Sequence, residues 1–177
     1  MNRFFQALMG RFLAEHLDGV VVHEEHSLTE MMRYVPGLNP RRRRSPAPRP
    51  DFLVARGRTV AALLDAKYRD LWERDLPRDM LYQLAIYALS QGGPSVAAIV
   101  YPTTAREATD AVVEIADPVG QRALGYVAMR PVVLSELAAA VRDSAAREKG
   151  RELATRLAFG SAPARVAAMR QPQPALA

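Results

Sequence analysis

The 177-residue sequence has no cysteine, one tryptophan and only two lysines, Lys67 and Lys149, against 22 arginines. Without cysteine there is no disulfide framework, no thiol nucleophile and no cysteine-ligated zinc, a usage that fits a reducing compartment. No run of about 18 apolar residues occurs, so no transmembrane helix is predicted. Gln6 and Arg11 interrupt the apolar core that a signal peptide would need. Neither lysine stands in a Gly-Lys-Ser/Thr context, which excludes a Walker A phosphate loop, and no Gly-x-Ser-x-Gly elbow is present. What remains is 49% hydrophobic and 24% charged, the composition of one cytoplasmic domain able to bury a core.

The formal charge of +5 is concentrated rather than spread. Arg41, Arg42, Arg43 and Arg44 are consecutive, and without those four the net charge is +1. Four adjacent guanidinium groups attract phosphate and give salt-sensitive binding, so they are DNA-binding candidates. The plainer alternative is a solvated run in an irregular loop. Pro36, Pro40, Pro46, Pro48 and Pro50 keep the stretch extended in either case.

Apolar periodicity predicts an amphipathic helix over 2–17, stopped by Asp18-Gly19, and then a short buried strand at 20–22. Residues 24–49 carry a possible helical turn at 29–33 and the proline-arginine loop. Two strands, 51–55 and 59–68, flank Arg56-Gly57-Arg58 as a hairpin. A helix is expected over 78–91, ended by Gly92-Gly93-Pro94. The apolar segment 95–101 reads as a strand buried on both faces. Further strands are expected at 111–115 and 124–129. A long helix follows over 134–159, with Gly150 as its weak point. The fold class is α/β with a mixed sheet, in a single domain. Its core spans 1–131, a C-terminal helical segment spans 132–160, and a frayed tail is expected over 161–177.

The chemistry-bearing residues gather on the hairpin. Lys67 lies inside the apolar strand, in Leu63-Leu64-Asp65-Ala66-Lys67-Tyr68, where a charge needs a reason. A compact ammonium approaches a single oxygen more closely than a guanidinium does. Alternation along a strand puts Asp65 and Lys67 on one face, their Cα atoms about 7 Å apart. A three-residue link at 56–58 sets Asp51 opposite Leu63, one diagonal step from Asp65 on that face. Hard oxygen donors with vacancies for water suit Mg²⁺ or Mn²⁺ rather than zinc. In the next helix Gln83 and Tyr87 are four apart and share a face. A [DE]-x-Lys string nevertheless arises about once by chance in a chain of this length. Asp65 and Lys67 can equally be an edge-strand ion pair. Trp72, in the loop after Lys67, can stack on a base or pack over the core. The run His23-Glu24-Glu25-His26 reads more readily as a solvated strand end than as a metal site.

Taken together, Pro50-Asp51, the hairpin, Asp65-Ala66-Lys67 and Gln83-x-x-x-Tyr87 resemble the PD-(D/E)xK nuclease superfamily, in its RecB-like branch. The wording "RPDFLV…LLDAKYRD…LYQLAIYAL…AAIVYP" resembles the McrC-type nuclease domain of modification-dependent restriction systems over residues 1–130. The resemblance implies a restriction-endonuclease-like fold and Mg²⁺-dependent endonucleolytic cleavage of DNA. By that pattern Asp51, Asp65 and the carbonyl of Ala66 hold the metal, Lys67 is catalytic, and Gln83 and Tyr87 are accessory active-site residues. It also implies an McrB-like AAA+ GTPase as partner. Gln6 stands where the family usually has a glutamate, and the longer N-terminal region associated with the motor is not seen ahead of the matched part. Two alternatives therefore stand beside the endonuclease: an inactive DNA-binding or assembly module, and a stand-alone RecB-like exonuclease.

Overall fold

The computed structural model describes residues 2–92, 95–142 and 147–161. In chain order the elements are α1 (Asn2–His16), β1 (Val21–Glu24), β2 (Phe52–Arg56), β3 (Thr59–Ala66), α2 (Arg78–Leu89), β4 (Ser95–Thr103), β5 (Ala111–Ala116), β6 (Ala123–Val133), α3 (Leu134–Arg142) and α4 (Arg147–Phe159). The strands form one six-stranded sheet in the order β1-β2-β3-β4-β6-β5. Pairing is antiparallel for β1–β2, β2–β3 and β5–β6, and parallel for β3–β4 and β4–β6. This is a single α/β domain with a mixed sheet flanked by four helices among the described residues, consistent with the restriction-endonuclease-like fold.

The sheet separates two cores. Alternate residues Phe52, Val54, Leu64, Ala66 and Val100 face α1 and α4, meeting Phe5, Met9, Phe12, Leu13, Ala154 and Leu157. The intervening Leu53, Leu63, Ala97, Ile99 and Val127 face α2, meeting Leu84, Tyr87 and Ala88. β4 is central and buried over most of its length, because a strand without charged side chains is stable only where both its faces are covered. Parallel β3 and β4 need a crossover, and α2 supplies it. The C-terminal ends of β1, β3 and β4 and the start of β2 lie at one end of the sheet.

Several expectations shift. The strand expected to be buried at 20–22 is β1, one residue later, and it is an exposed edge: Val21 is 57% accessible. Residues 29–31 form a turn rather than helix. β6 runs from Ala123 to Val133, well past the expected strand, because it pairs along all nine residues of β4. The single long helix expected over 134–159 is two described helices, with 143–146 outside the described residues. Gly150 is no break point. It is buried inside α4, and a Cβ there would run into the His16 ring of α1. The glycine lets the two helices approach closely. Gly93, Pro94 and most of the expected tail, residues 162–177, lie outside the described residues.

Arg130, in β6, is 3% exposed and donates to the carbonyls of Leu157 and Ala158 at 2.9 and 2.8 Å. It thereby satisfies two of the carbonyls that the C-terminal turn of α4 leaves open. Asp110 lies 4.0 Å from the same guanidinium, and Gly160, at φ +80, closes the helix beside it. Among the described residues no helix is long and apolar enough to cross a membrane.

Candidate metal and active site

The site is built by the hairpin. Its turn is tighter than the three-residue link expected: Arg56 pairs with Thr59 across Gly57-Arg58, with Gly57 at φ +59. A bulge then shifts the register between Val54 and Ala55, leaving Ala61 without a partner on β2. Each change moves the pairing by one residue. Beyond the bulge the two shifts restore the parity, so Asp51 keeps the face it shares with Asp65 but moves from beside Leu63 to beside Asp65. The carboxylates are consequently immediate neighbours.

They are locked reciprocally through the backbone. The Asp51 N–H donates to Asp65 Oδ1 at 3.0 Å, and the Ala66 N–H donates to Asp51 Oδ2 at 2.8 Å. In a strand the N–H and C=O of one residue point to the same side, so the Ala66 carbonyl shares the side on which Asp51 sits. Lys67 leaves β3 directly after, its N–H bonded to the Val100 carbonyl of β4 at 3.0 Å, and its side chain is half-buried. From α2, Gln83 Nε2 donates to Asp65 Oδ2 at 3.1 Å and to the Tyr87 hydroxyl at 2.8 Å. The i, i+4 pair thus joins the site as one unit, with Tyr87 buried in the α2-side core and Gln83 towards solvent.

Burial sets the electrostatics. Asp65, 8% exposed, has its carboxyl raised to about 7 by desolvation, and the charge of Asp51 adds to that; the Asp51 N–H and Lys67 pull the other way. Asp51 is also raised by desolvation, with the Ala66 N–H opposing, Glu25 adding to the rise and Lys67 opposing it. Two adjacent carboxylates that burial drives towards protonation are the donor set a divalent cation relieves. Among the described residues no third His, Asp or Glu completes a ligand cluster. Further positions would fall to the Ala66 carbonyl and water.

The loop after Lys67 is pinned by a pair that the sequence reading missed. Asp70 accepts from the Trp72 N–H at 2.9 Å and from the Thr103 hydroxyl at 2.8 Å, and Thr103 is buried at the end of β4. An aspartate two residues before the loop tryptophan is a turn signal that could have revealed it. Trp72 itself is 40% exposed and lines a shallow groove with Leu81, Val113 and Met129.

Gln6 is half-buried on α1 and makes no side-chain hydrogen bond among the described residues. The start of α1 does reach the site's end of the sheet, since Asn2 Oδ1 accepts from the Tyr68 N–H at 2.8 Å. His23, Glu24 and His26 are exposed at and beyond the end of β1 and form no ligand cluster. Glu25 instead pairs with Arg49. Arg41–Arg44 are exposed in the long segment between β1 and β2.

Among solved structures, the chain is similar to one chain of the half-complex refined from a tetradecameric assembly of Thermococcus gammatolerans McrB AAA+ hexamers with bound McrC. The TM-score is 0.55 at 22% identity, over 86% of this chain and 32% of the other. That likeness shows a shared fold, and this chain spans about a third of the length of the one it matches. No family model matches the sequence, and neither does any curated protein.

Proposed function

We propose that the chain is a metal-dependent DNA endonuclease domain of the McrC type, acting with an McrB-like AAA+ GTPase as part of a modification-dependent restriction system. The observation that carries this reading is the reciprocal Asp51–Asp65 pair, just before β2 and within β3, with Lys67 two residues after Asp65. The structural likeness to a chain of an McrB–McrC assembly supports both the fold and the kind of partner. Asp51, Asp65 and the Ala66 carbonyl would hold Mg²⁺ or Mn²⁺. When bound, such an ion supplies Lewis-acid polarisation of a phosphoryl oxygen and a more acidic water. Gln83 orients the Asp65 carboxylate and ties it to Tyr87, so the pair keeps its geometry while it changes charge. Lys67 brings a point charge to the exit of β3, where it stabilises negative charge developing on phosphate oxygens. The exposed arginines 41–44, on a segment fixed at this end of the sheet, supply contacts to the DNA backbone.

A second reading, a nuclease fold serving as a non-catalytic binding or assembly module, is favoured by one observation: Gln6 is uncharged and no third carboxylate joins the pair among the described residues. Supercoiled plasmid incubated with Mg²⁺ or Mn²⁺ separates the two. Nicking by the wild type that is lost in Lys67→Ala is the expected result. Absence of cleavage by the wild type, alone and with an McrB-like partner and GTP, together with no Mn²⁺-induced thermal stabilisation, would favour the module.

A further inference from the structure

The segment between β1 and β2 returns to the sheet beside the carboxylate pair, and its neck is closed by specific bonds. The Glu25 N–H donates to the Asp51 carbonyl at 2.9 Å, and the Leu28 N–H donates to the Pro48 carbonyl at 2.8 Å. Arg49 grips Glu25 twice, Nε to the backbone carbonyl at 2.7 Å and Nη2 to Oε2 at 2.6 Å. Leu28 and Met31 pack against the α2-side core, so the base of the segment is tethered from inside as well.

The arginine run beyond the neck is also shaped. Asn39 Oδ1 accepts from the Arg43 N–H at 2.8 Å, and Asn39 Nδ2 donates to the Arg43 carbonyl at 2.8 Å. The Arg42 N–H donates to the Asn39 carbonyl at 3.0 Å, with Arg42 at φ +48. Like charges drive a free chain to extend, yet here one side chain folds the run into a turn. Arg11, Arg49, Arg130, Arg151 and Arg156 all take part in ion pairs, whereas among the described residues none of Arg41–Arg44 does. Four concentrated guanidinium groups with no ion-pair partner among the described residues fit a ligand that presents several phosphates in a row.

Resting on the nuclease reading above, we propose that residues 39–44 form a preshaped strap for the DNA backbone, and that Asn39, Glu25 and Arg49 are positioning residues that set it relative to Asp51. Asp51 is the seventh residue after Arg44, a reach of at most about 25 Å. With one phosphate per strand every 3.4 Å or so, the strap engages DNA within about seven base-pair steps of the scissile bond.

The test is fluorescence anisotropy of a 30-base-pair duplex with the metal-free protein across a salt series, followed by cleavage kinetics with metal. Replacing all four arginines by alanine should flatten the slope of log affinity against log salt by about 3–4, at roughly 0.9 per phosphate contact. Asn39→Ala and Arg49→Ala keep all four charges of the run; each should weaken binding several-fold, raise KM more than it lowers kcat, and leave thermal unfolding near wild type. Arg49→Lys should recover part of the loss. If both single variants bind as the wild type does while the fourfold variant weakens, the run is a loose cloud of charge and the positioning role falls. If the fourfold variant also binds normally, the strap is not a DNA surface. Equal affinity for polyglutamate would assign it to an acidic protein and overturn the proposal. A wild type that binds no duplex at all would instead sink the nuclease reading itself.

Discussion

Asp51 and the arginine strap are joined by a few residues of backbone, yet their environments treat charge in opposite ways. At Asp51 and Asp65 each carboxylate is partly or largely removed from water, so a single backbone N–H or a neighbouring charge moves its ionisation. At Arg41–Arg44 water screens every charge, and strength comes only from number and arrangement. Burial makes a small group of residues chemically potent, whereas exposure makes a larger group additive and sensitive to salt.

The sharpest way to break the comparison is at its buried side. Lys67→Ala should lower metal-dependent cleavage by about 10²–10³, measured as initial nicking rate at saturating DNA, because it removes a charge acting on the transition state. A loss below tenfold would move Lys67 out of the chemistry. Next in size is a change to the fold that touches neither region: Gly150→Val should cost about 1–3 kcal/mol by forcing α4 off His16. A lowered thermal midpoint with metal-induced stabilisation retained would separate the scaffold from the site.

Titration sharpens the contrast further. Asp65 has a folded pKa of about 7 against a usual 3.8, so between those values the folded chain keeps a proton that the unfolded chain releases. Its contribution is therefore fully present below about pH 4 and is lost as the pH rises through 7. Metal-free thermal midpoints should thus show Asp65→Asn gaining on the wild type as the pH rises from about 4 to about 7. A parallel pair of curves would mean that Asp65 ionises as in water. The smallest effect belongs to the exposed side. The Arg49–Glu25 ion pair, 55% exposed on both partners, should change global stability by less than about 1 kcal/mol when Arg49 becomes alanine, read by urea unfolding.

The hairpin shows how legible the site was. Asp51 and Asp65 fall on the shared face that alternation predicts, because a strand's period of two survives a shift by two residues. Their separation was not legible, since a tighter turn and a bulge each moved the register by one: Gly57 marks the hairpin without fixing its link at two or three residues, and the bulge at Val54 and Ala55 carries no residue signal. Gln83 and Tyr87 were found as a helical pair, but only packing of α2 over β3 brought Gln83 to Asp65. The edge position of β1 was misread as buried, because three valines look the same whether one face or none is covered. Asn39, Arg49 and Asp70 leave no periodic trace, as they themselves lie in loops and bond outside any strand or helix pattern.

By itself the sequence determined the α/β class, the central apolar strand, the face shared by Asp51 and Asp65, and the local concentration of arginine. Each follows from short-range rules of periodicity, alternation and composition. Only the tertiary structure decided that the carboxylates are adjacent, that Gly150 is an approach point and not a break, and that the arginine run is shaped and tethered. Those depend on register, helix contact and bonds between residues far apart in the chain, which no local pattern encodes.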